Sequence, residues 1–164
     1  MKNIRLSTIV ILMFLTFNLF GQETFDINEV INLNNQLRKS KNYNPLQSDS
    51  ILDKMAYLHA YEMATKSFFA HQNPHNPSLA TLKKRAEYLN FNYTVIAENI
   101  AYFSGNVNDL KQPLGHLFFN QWKKSKPHYK NMMIKEATRI GLSCVKIDKN
   151  GVSYYYAVQV IGNL

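Results

Sequence analysis

The end of the chain restricts the fold more than any other stretch. Ile140, Leu142 and Cys144 alternate with Gly141 and Ser143, a turn follows at Asp148-Lys149-Asn150-Gly151, and Val152, Tyr154, Tyr156, Val158 and Val160 alternate again. A period of two sends successive side chains to opposite faces of a strand, so the run predicts an antiparallel hairpin. Cys144 is the only cysteine, and no intramolecular disulfide can brace that hairpin. The fold must therefore hold by packing. Cys144 lies in an apolar strand-like run with no Cys-His signature and reads as a buried, inert thiol.

Upstream the period changes. Asp26 and Glu29 form a capping-box pattern before Ile27, Val30, Ile31 and Leu37, which predicts a helix over 26–39. Leu52, Met55, Ala56, His59 and Met63 share one helical stripe over 49–66, with Ser48 or Asp49 as the cap. The break Asn73-Pro74-His75-Asn76-Pro77 leads to a short helix capped by Ser78 and carrying Leu79, Leu82 and Ala86. From Tyr93 to Phe103 the run is β-branched and aromatic with a single charge, Glu98, and reads as a strand or extended segment. Leu114, Leu117, Phe118, Gln121, Trp122 and Ser125 suggest a further helix, with Pro113 tolerated in its first turn. Helices first, strands last and no βαβ repeat give an α+β fold class, with helices packed on a small antiparallel sheet. At 164 residues, 46% of them hydrophobic and with ten Phe and ten Tyr, the chain suits one compact domain with a full core.

The first residues stand apart. Lys2 and Arg5 precede an apolar run of fifteen residues, Leu6 to Phe20, which reads as a secretory signal peptide over 1–21 with cleavage after Gly21. A membrane anchor is the competing reading, but fifteen residues at about 1.5 Å each fall short of the ~30 Å hydrocarbon layer. The expected product, 22–164, is secreted or extracytoplasmic and monomeric. It keeps 17 Lys and Arg against 11 Asp and Glu, a formal charge of +6. Lys123, Lys124, Lys126, Lys130 and Lys135 crowd one segment, and Lys83, Lys84 and Arg85 another; each is a solvated face or a contact for an anionic surface. No nucleic-acid motif accompanies the charge, and no nucleic-acid partner is expected.

Three polar groups can carry chemistry: His71 after Phe68-Phe69, Glu98 inside its apolar strand, and His128 after Trp122-Lys-Lys-Ser125-Lys-Pro127. A carboxylate in mid-strand is costly to bury unless it is paired or faces a cleft. Two imidazoles and a carboxylate suit a divalent-metal site of the zinc type, or an acid/base pair oriented by Glu98. Taken singly, His71 and His128 could equally cap carbonyls at helix ends, and Glu98 could pair with a lysine. His59 reads as a packing histidine, and His75 and His116 as loop and surface residues.

The pieces N-N-Q-L-R (34–38), N-P-L (44–46), L-D-K-M-A-Y-L-H-A-Y-E-M (52–63), S-F-F-A-H (67–71), A-E-N-I-A (97–101), W-K-K-S-K-P-H-Y-K-N-M-M (122–133), R-I-G-L-S (139–143) and Y-A-V-Q-V-I-G (156–162) occur in this order. Together they resemble the CAP superfamily, also called the SCP or cysteine-rich secretory/antigen 5/pathogenesis-related domain, in its bacterial secreted form. The resemblance covers about residues 27–162. It implies a single-domain α-β-α sandwich with a wide cleft on one side. The family's cleft carries two His and two Glu; His71, Glu98 and His128 match three of the four, and Ser125 stands where many members have the second glutamate. Serine is neither a general base nor a strong metal ligand, which argues against a dyad of two glutamates and leaves a two-His site, His71 and His128, helped by Glu98.

Ser125, Tyr129, Asn99 and Gln159 are the neighbouring ligand-binding candidates, Gln159 as a partner for a ligand or for the first histidine. Two functions follow as expectations. One is a binding module for a lipid, peptide or cell-wall fragment, able to take a divalent ion such as Zn²⁺. The other is a metal- or Glu/His-assisted hydrolase such as a peptidase, in which His71, Glu98 and His128 are catalytic. No Gly-x-Ser-x-Gly or His-Glu-x-x-His motif is present to favour the second.

Overall fold

The structure, a computed structural model, describes residues 25–163. The predicted signal peptide lies outside them. Among the described residues no helix is long and apolar enough to cross a membrane.

The first helix, α1, runs Ile27–Lys39 and is capped by Asp26, whose side chain accepts from the Glu29 amide at 3.2 Å. The reciprocal half of the predicted capping box does not form, because the Glu29 carboxylate accepts instead from Nε2 of His116 at 2.6 Å. A two-residue strand, β1 (Gln47–Ser48), leads into α2 (Ser50–Lys66), which Asp49 caps through the amides of Ile51 and Leu52. The expected single helix after Ser78 divides into a 3-10 turn, Pro77–Leu79 capped by Asn76, and α3, Leu82–Tyr88 capped by Thr81. Then follow β2 (Ile96–Ser104), a 3-10 turn (Val107–Asp109), α4 (Leu114–Lys124), α5 (Lys126–Met132), β3 (Arg139–Lys149) and β4 (Val152–Gly162). No apolar period announced α5; Ser125 both ends α4 and begins α5, with Pro127 in the first turn, where its missing N–H loses nothing.

The sheet order is β1-β3-β4-β2. β3 and β4 form the predicted antiparallel hairpin about Asn150-Gly151, both with positive φ, and β2 lies antiparallel on its other side with Glu98 opposite Val160. β1 pairs parallel with β3, so the sheet is mixed rather than purely antiparallel.

Alternation along β2 and β4 feeds two separate cores. On one face Leu52, Met55, Ala56, Ala60 and Met63 of α2 pack on Ile100, Tyr156, Val158 and Val160. On the other, Val30 and Ile31 of α1 and Phe118 and Trp122 of α4 pack on Ala101, Leu142, Ala157 and Ile161. The α+β fold is thus a helix-sheet-helix sandwich. α2 approaches β3 so closely that a Cβ on Gly141 would collide with the backbone of Leu52 and Asp53, and the Asp53 carboxylate accepts from the Leu142 amide at 2.8 Å.

Candidate functional site

The site forms where the two helical layers meet the edge strand β2. Glu98 and Asn99 are consecutive on that strand and so face opposite layers. Glu98 turns toward α2 and α3. Its Oε2 accepts from the Arg85 guanidinium at 2.6 Å, and its Oε1 accepts from Nδ1 of His71 at 3.0 Å. Arg85 is 0% exposed and also donates to the carbonyl of Leu79 at 3.0 Å. Burial alone would push the Glu98 carboxyl up; the hydrogen bond from His71 and the charge of Arg85 outweigh it, and the group stays ionised below the usual glutamate range.

A backbone turn places His71. After α2, Ser67 takes the left-handed conformation at φ 57°, and the chain reverses through Phe68-Phe69-Ala70. Nε2 of His59, inside α2, donates to the Ala70 carbonyl at 2.9 Å, fixing the residue just before His71. Asn73 holds the far side of the loop, donating through Nδ2 to Glu62 at 3.0 Å and through its amide to the Ala80 carbonyl at 2.9 Å. A carboxylate can only accept, so Nδ1 of His71 carries the proton that Glu98 receives. In the neutral ring this leaves Nε2 with a free lone pair, on a side chain that is 55% exposed.

Asn99 turns the other way. Its Nδ2 donates to the His128 carbonyl at 3.1 Å and to Oε1 of Gln159 at 2.8 Å. Asn131 in turn donates to Oδ1 of Asn99 at 2.9 Å and to the Glu98 carbonyl at 3.1 Å. These amides moor α5 to the strand that carries Glu98, so His71 comes from one layer and His128 from the other across a common edge. The half-buried His128 has its pKa lowered, first by burial and then by the charge of His71.

The structure brings together His71 and Glu98; the His128 side chain bonds neither and is affected only by the charge of His71. Ser125 and Tyr129 are half-buried at the start of α5, and the Ser125 hydroxyl makes no capping hydrogen bond. Asn99 and Gln159 do not form a cleft wall: they are 1% and 0% exposed and hold α5 in place from beneath. Gln159 bonds Asn99 rather than the first histidine.

Arg85 and His59 join the site although their sequence contexts point elsewhere. The run Lys83-Lys84-Arg85 reads as a solvated charge cluster, but Arg85 falls three residues after Leu82 and beside Ala86, on the buried stripe of α3; that phase was the available signal. His59 is a packing histidine as expected, yet its Nε2 also lies 3.8 Å from Glu98 Oε1. Burial lowers its pKa to about 4, so it is neutral near pH 7.

As a donor set, the cluster offers a cation two imidazoles and little else. Both Glu98 oxygens are engaged, and the Arg85 charge stands directly behind the carboxylate. Among the described residues no group of three or more His, Cys, Asp or Glu is arranged to hold a metal ion. The Glu98–His71 bond is nonetheless the support that a metal-binding imidazole needs, with one nitrogen on a carboxylate and the other free. A cavity of about 530 Å³ lined by Phe25, Ile27, Val107, Leu114, Cys144 and Tyr155 includes none of these residues. Burial pushes the Cys144 thiol on its wall up to about 12, and the thiol is inert.

Comparison with known proteins adds a family match and several structural matches. The family model described as CAP, cysteine-rich secretory protein family, matches residues 31–161. Among solved structures, an extracellular protein containing an SCP domain from Bacillus anthracis superposes with a TM-score of 0.65 at 24% identity, over 84% of this chain and 40% of that one. The present chain thus spans less than half of that protein. An outer surface protein of Borrelia burgdorferi gives a TM-score of 0.65 at 18% identity, over 83% of this chain and 90% of that one. The crystal structure of NaASP2 with Zn²⁺ gives 0.56 at 15% identity, over 89% and 82%. No match was found among curated proteins.

Proposed function

The chain belongs to the cysteine-rich secretory protein (CAP) family, and from that premise we propose that it acts outside the cytoplasm as a ligand-binding module. Its cleft is built on His71, Glu98 and His128, and it takes a lipid, peptide or cell-wall fragment. His71 and His128 are the residues that would hold a divalent ion such as Zn²⁺, which would supply a positive charge to a ligand's oxygen atoms. One observation carries this reading. Glu98 is fixed by Arg85 and orients His71 so that a bare nitrogen faces solvent. A carboxylate that accepts on both oxygens and is held ionised by a buried guanidinium positions a ligand-binding group and is a weak base.

The same pairing supports a second reading. An imidazole held by a carboxylate, with its other nitrogen open, is the arrangement of a general base, and His71 could take a proton from a water attacking an ester or amide carbonyl. Independently of both, Lys123, Lys124, Lys126, Lys130 and Lys135 are exposed, and none forms an ion pair among the described residues. They suit contact with an anionic surface, and retention on such a surface should fall as salt rises.

Calorimetric titration of Zn²⁺ into the chain from Gln22 onward tests the cleft, beside His71→Ala and His128→Ala. One-site binding abolished by both substitutions supports the proposal and justifies an assay of hydrolysis by the loaded and metal-free protein. Absence of binding in a normally folded wild type removes the metal from it.

A further inference from the structure

Beyond His71, at the margin of the core that α2 covers, the sheet carries an aromatic strip whose outer members are only partly buried. Phe69, two residues before His71, is 49% exposed and rests on Tyr102 with ring centroids 5.8 Å apart. Tyr102 in turn meets Tyr156 at 5.1 Å, edge to face, and Tyr154 at 6.3 Å. Tyr102 and Glu98 lie on the same face of β2, so the strip continues from the cleft along the strand.

The hydroxyls make the strip more than an apolar patch. Tyr102, Tyr154 and Tyr156 put three phenol groups close enough to act on one another: the Tyr156 hydroxyl is held above the usual range by burial and by these two neighbours. No hydrogen bond links any of the three to another group among the described residues, and none is a sealed-off orphan. The half-buried Tyr102 and Tyr154 remain open to a ligand, whereas the Tyr156 ring is 7% exposed and can offer little beyond its hydroxyl. The side chains around them, Val145 and Ile147, carry no charge.

We propose that Phe69, Tyr102, Tyr154 and Tyr156 form a subsite for the pyranose rings of a neutral glycan, continuous with the His71 cleft. The inference rests on the reading of that cleft as a ligand site and names its ligand class. A pyranose has one flat face of C–H groups and a rim of hydroxyls. The C–H face suits the negative face of an aromatic ring, and the rim offers partners to the phenols. An acyl chain would cover the same rings but strip three hydroxyls of water without replacing it, which is unfavourable. A charged ligand would find no counter-charge among the strip's own side chains.

The test is calorimetric titration of the wild-type chain with chitotetraose, cellotetraose and maltotetraose. The same titrations are run on Phe69→Ala, Tyr154→Ala and the gentler Tyr154→Phe, each checked for its fold by circular dichroism. Saturable binding of at least one glycan is expected, weakened about tenfold or more in both alanine variants. Tyr154→Phe keeps the ring and loses the hydroxyl, so a loss of about threefold there isolates the hydrogen bond. Failure of all three glycans to bind, or binding indifferent to Phe69 and Tyr154, overturns the proposal. Decanoate binding that depends on these residues, with no glycan binding, overturns it in favour of an acyl ligand. Zn²⁺ titration of Phe69→Ala separates the two readings: the metal response stands if only the glycan subsite is wrong.

Discussion

Among the described residues two guanidiniums are wholly buried, in opposite layers, and they are satisfied in different ways. Arg38, at the end of α1, donates to the carbonyls of Asn44, Met132, Ile134 and Ala137 at 2.7–3.3 Å, tying the end of α1 to the connection between α5 and β3. Its partners are neutral dipoles that belong to the backbone. Arg85 meets one carbonyl and one carboxylate, and that carboxylate also holds an imidazole at the surface. The first arrangement fixes chain geometry and ends there. The second passes a charge outward through a group that titrates, and this distinguishes a site from a brace.

Arg85→Met and Arg38→Met should sharpen that contrast most. Arg85→Met leaves an uncompensated buried carboxylate and is expected to destabilise by about 3–5 kcal/mol at pH 8. Without the guanidinium the folded-state pKa of Glu98 rises above its unfolded value, so part of the loss returns as pH falls through that raised pKa. Arg38→Met, which orphans carbonyls alone, should cost about 3 kcal/mol, equally at pH 5 and pH 8. Urea denaturation at both pH values reads the difference; identical pH dependence in the two variants would erase the distinction.

The next effect comes from His59, which burial keeps neutral beside Glu98. Its folded pKa, about 4, lies below the unfolded value of 6.5, so the unfolded state takes up the proton first. Stability is complete above about pH 6.5 and falls by about 3 kcal/mol as pH drops toward 4. His59→Gln should flatten urea midpoints in that window; an unchanged slope would place the acid sensitivity elsewhere. Smaller still, Glu98→Gln should weaken Zn²⁺ binding about 10- to 100-fold by loosening the His71 ring, read by titration calorimetry. At the low end is Lys84, adjacent to Arg85 in sequence but exposed and paired with Glu87 at 3.0 Å. Lys84→Ala should change the thermal midpoint by the equivalent of less than about 0.5 kcal/mol.

Adjacent residues with opposite fates explain what could be read in advance. Asp26, Asp49 and Asn150-Gly151 act within a few residues of themselves, through caps and a turn, and the elements they bound lie where expected. The strand about Glu98 was legible too, from its β-branched and aromatic run, and a lone charge inside that run demands a partner. Which partner it takes was not: the capping Thr81 sets the phase of α3, and that phase puts Arg85 inward and leaves Lys83 and Lys84 outside. β1 and α5 escaped for a related reason. β1 pairs only with a strand more than ninety residues away, and the short α5 is held by Asn99, Asn131 and Pro127 rather than by an apolar stripe of its own.

From the residues alone, then, came the α+β class, the hairpin, the absence of an intramolecular disulfide and the need of Glu98 for a partner, while His71, Glu98 and His128 stood as candidates that the family resemblance drew together. These depend on local periodicity and on the cost of burying charge, which any window of sequence carries. The tertiary structure decided that Glu98 is ionised and held by Arg85, that His71 presents its outer nitrogen, and that Asn99 and Gln159 support α5 instead of facing a ligand. Each of these depends on distances of a few ångströms between layers that meet only when the sheet is assembled, and electrostatic and hydrogen-bond energies follow those distances rather than separation along the chain.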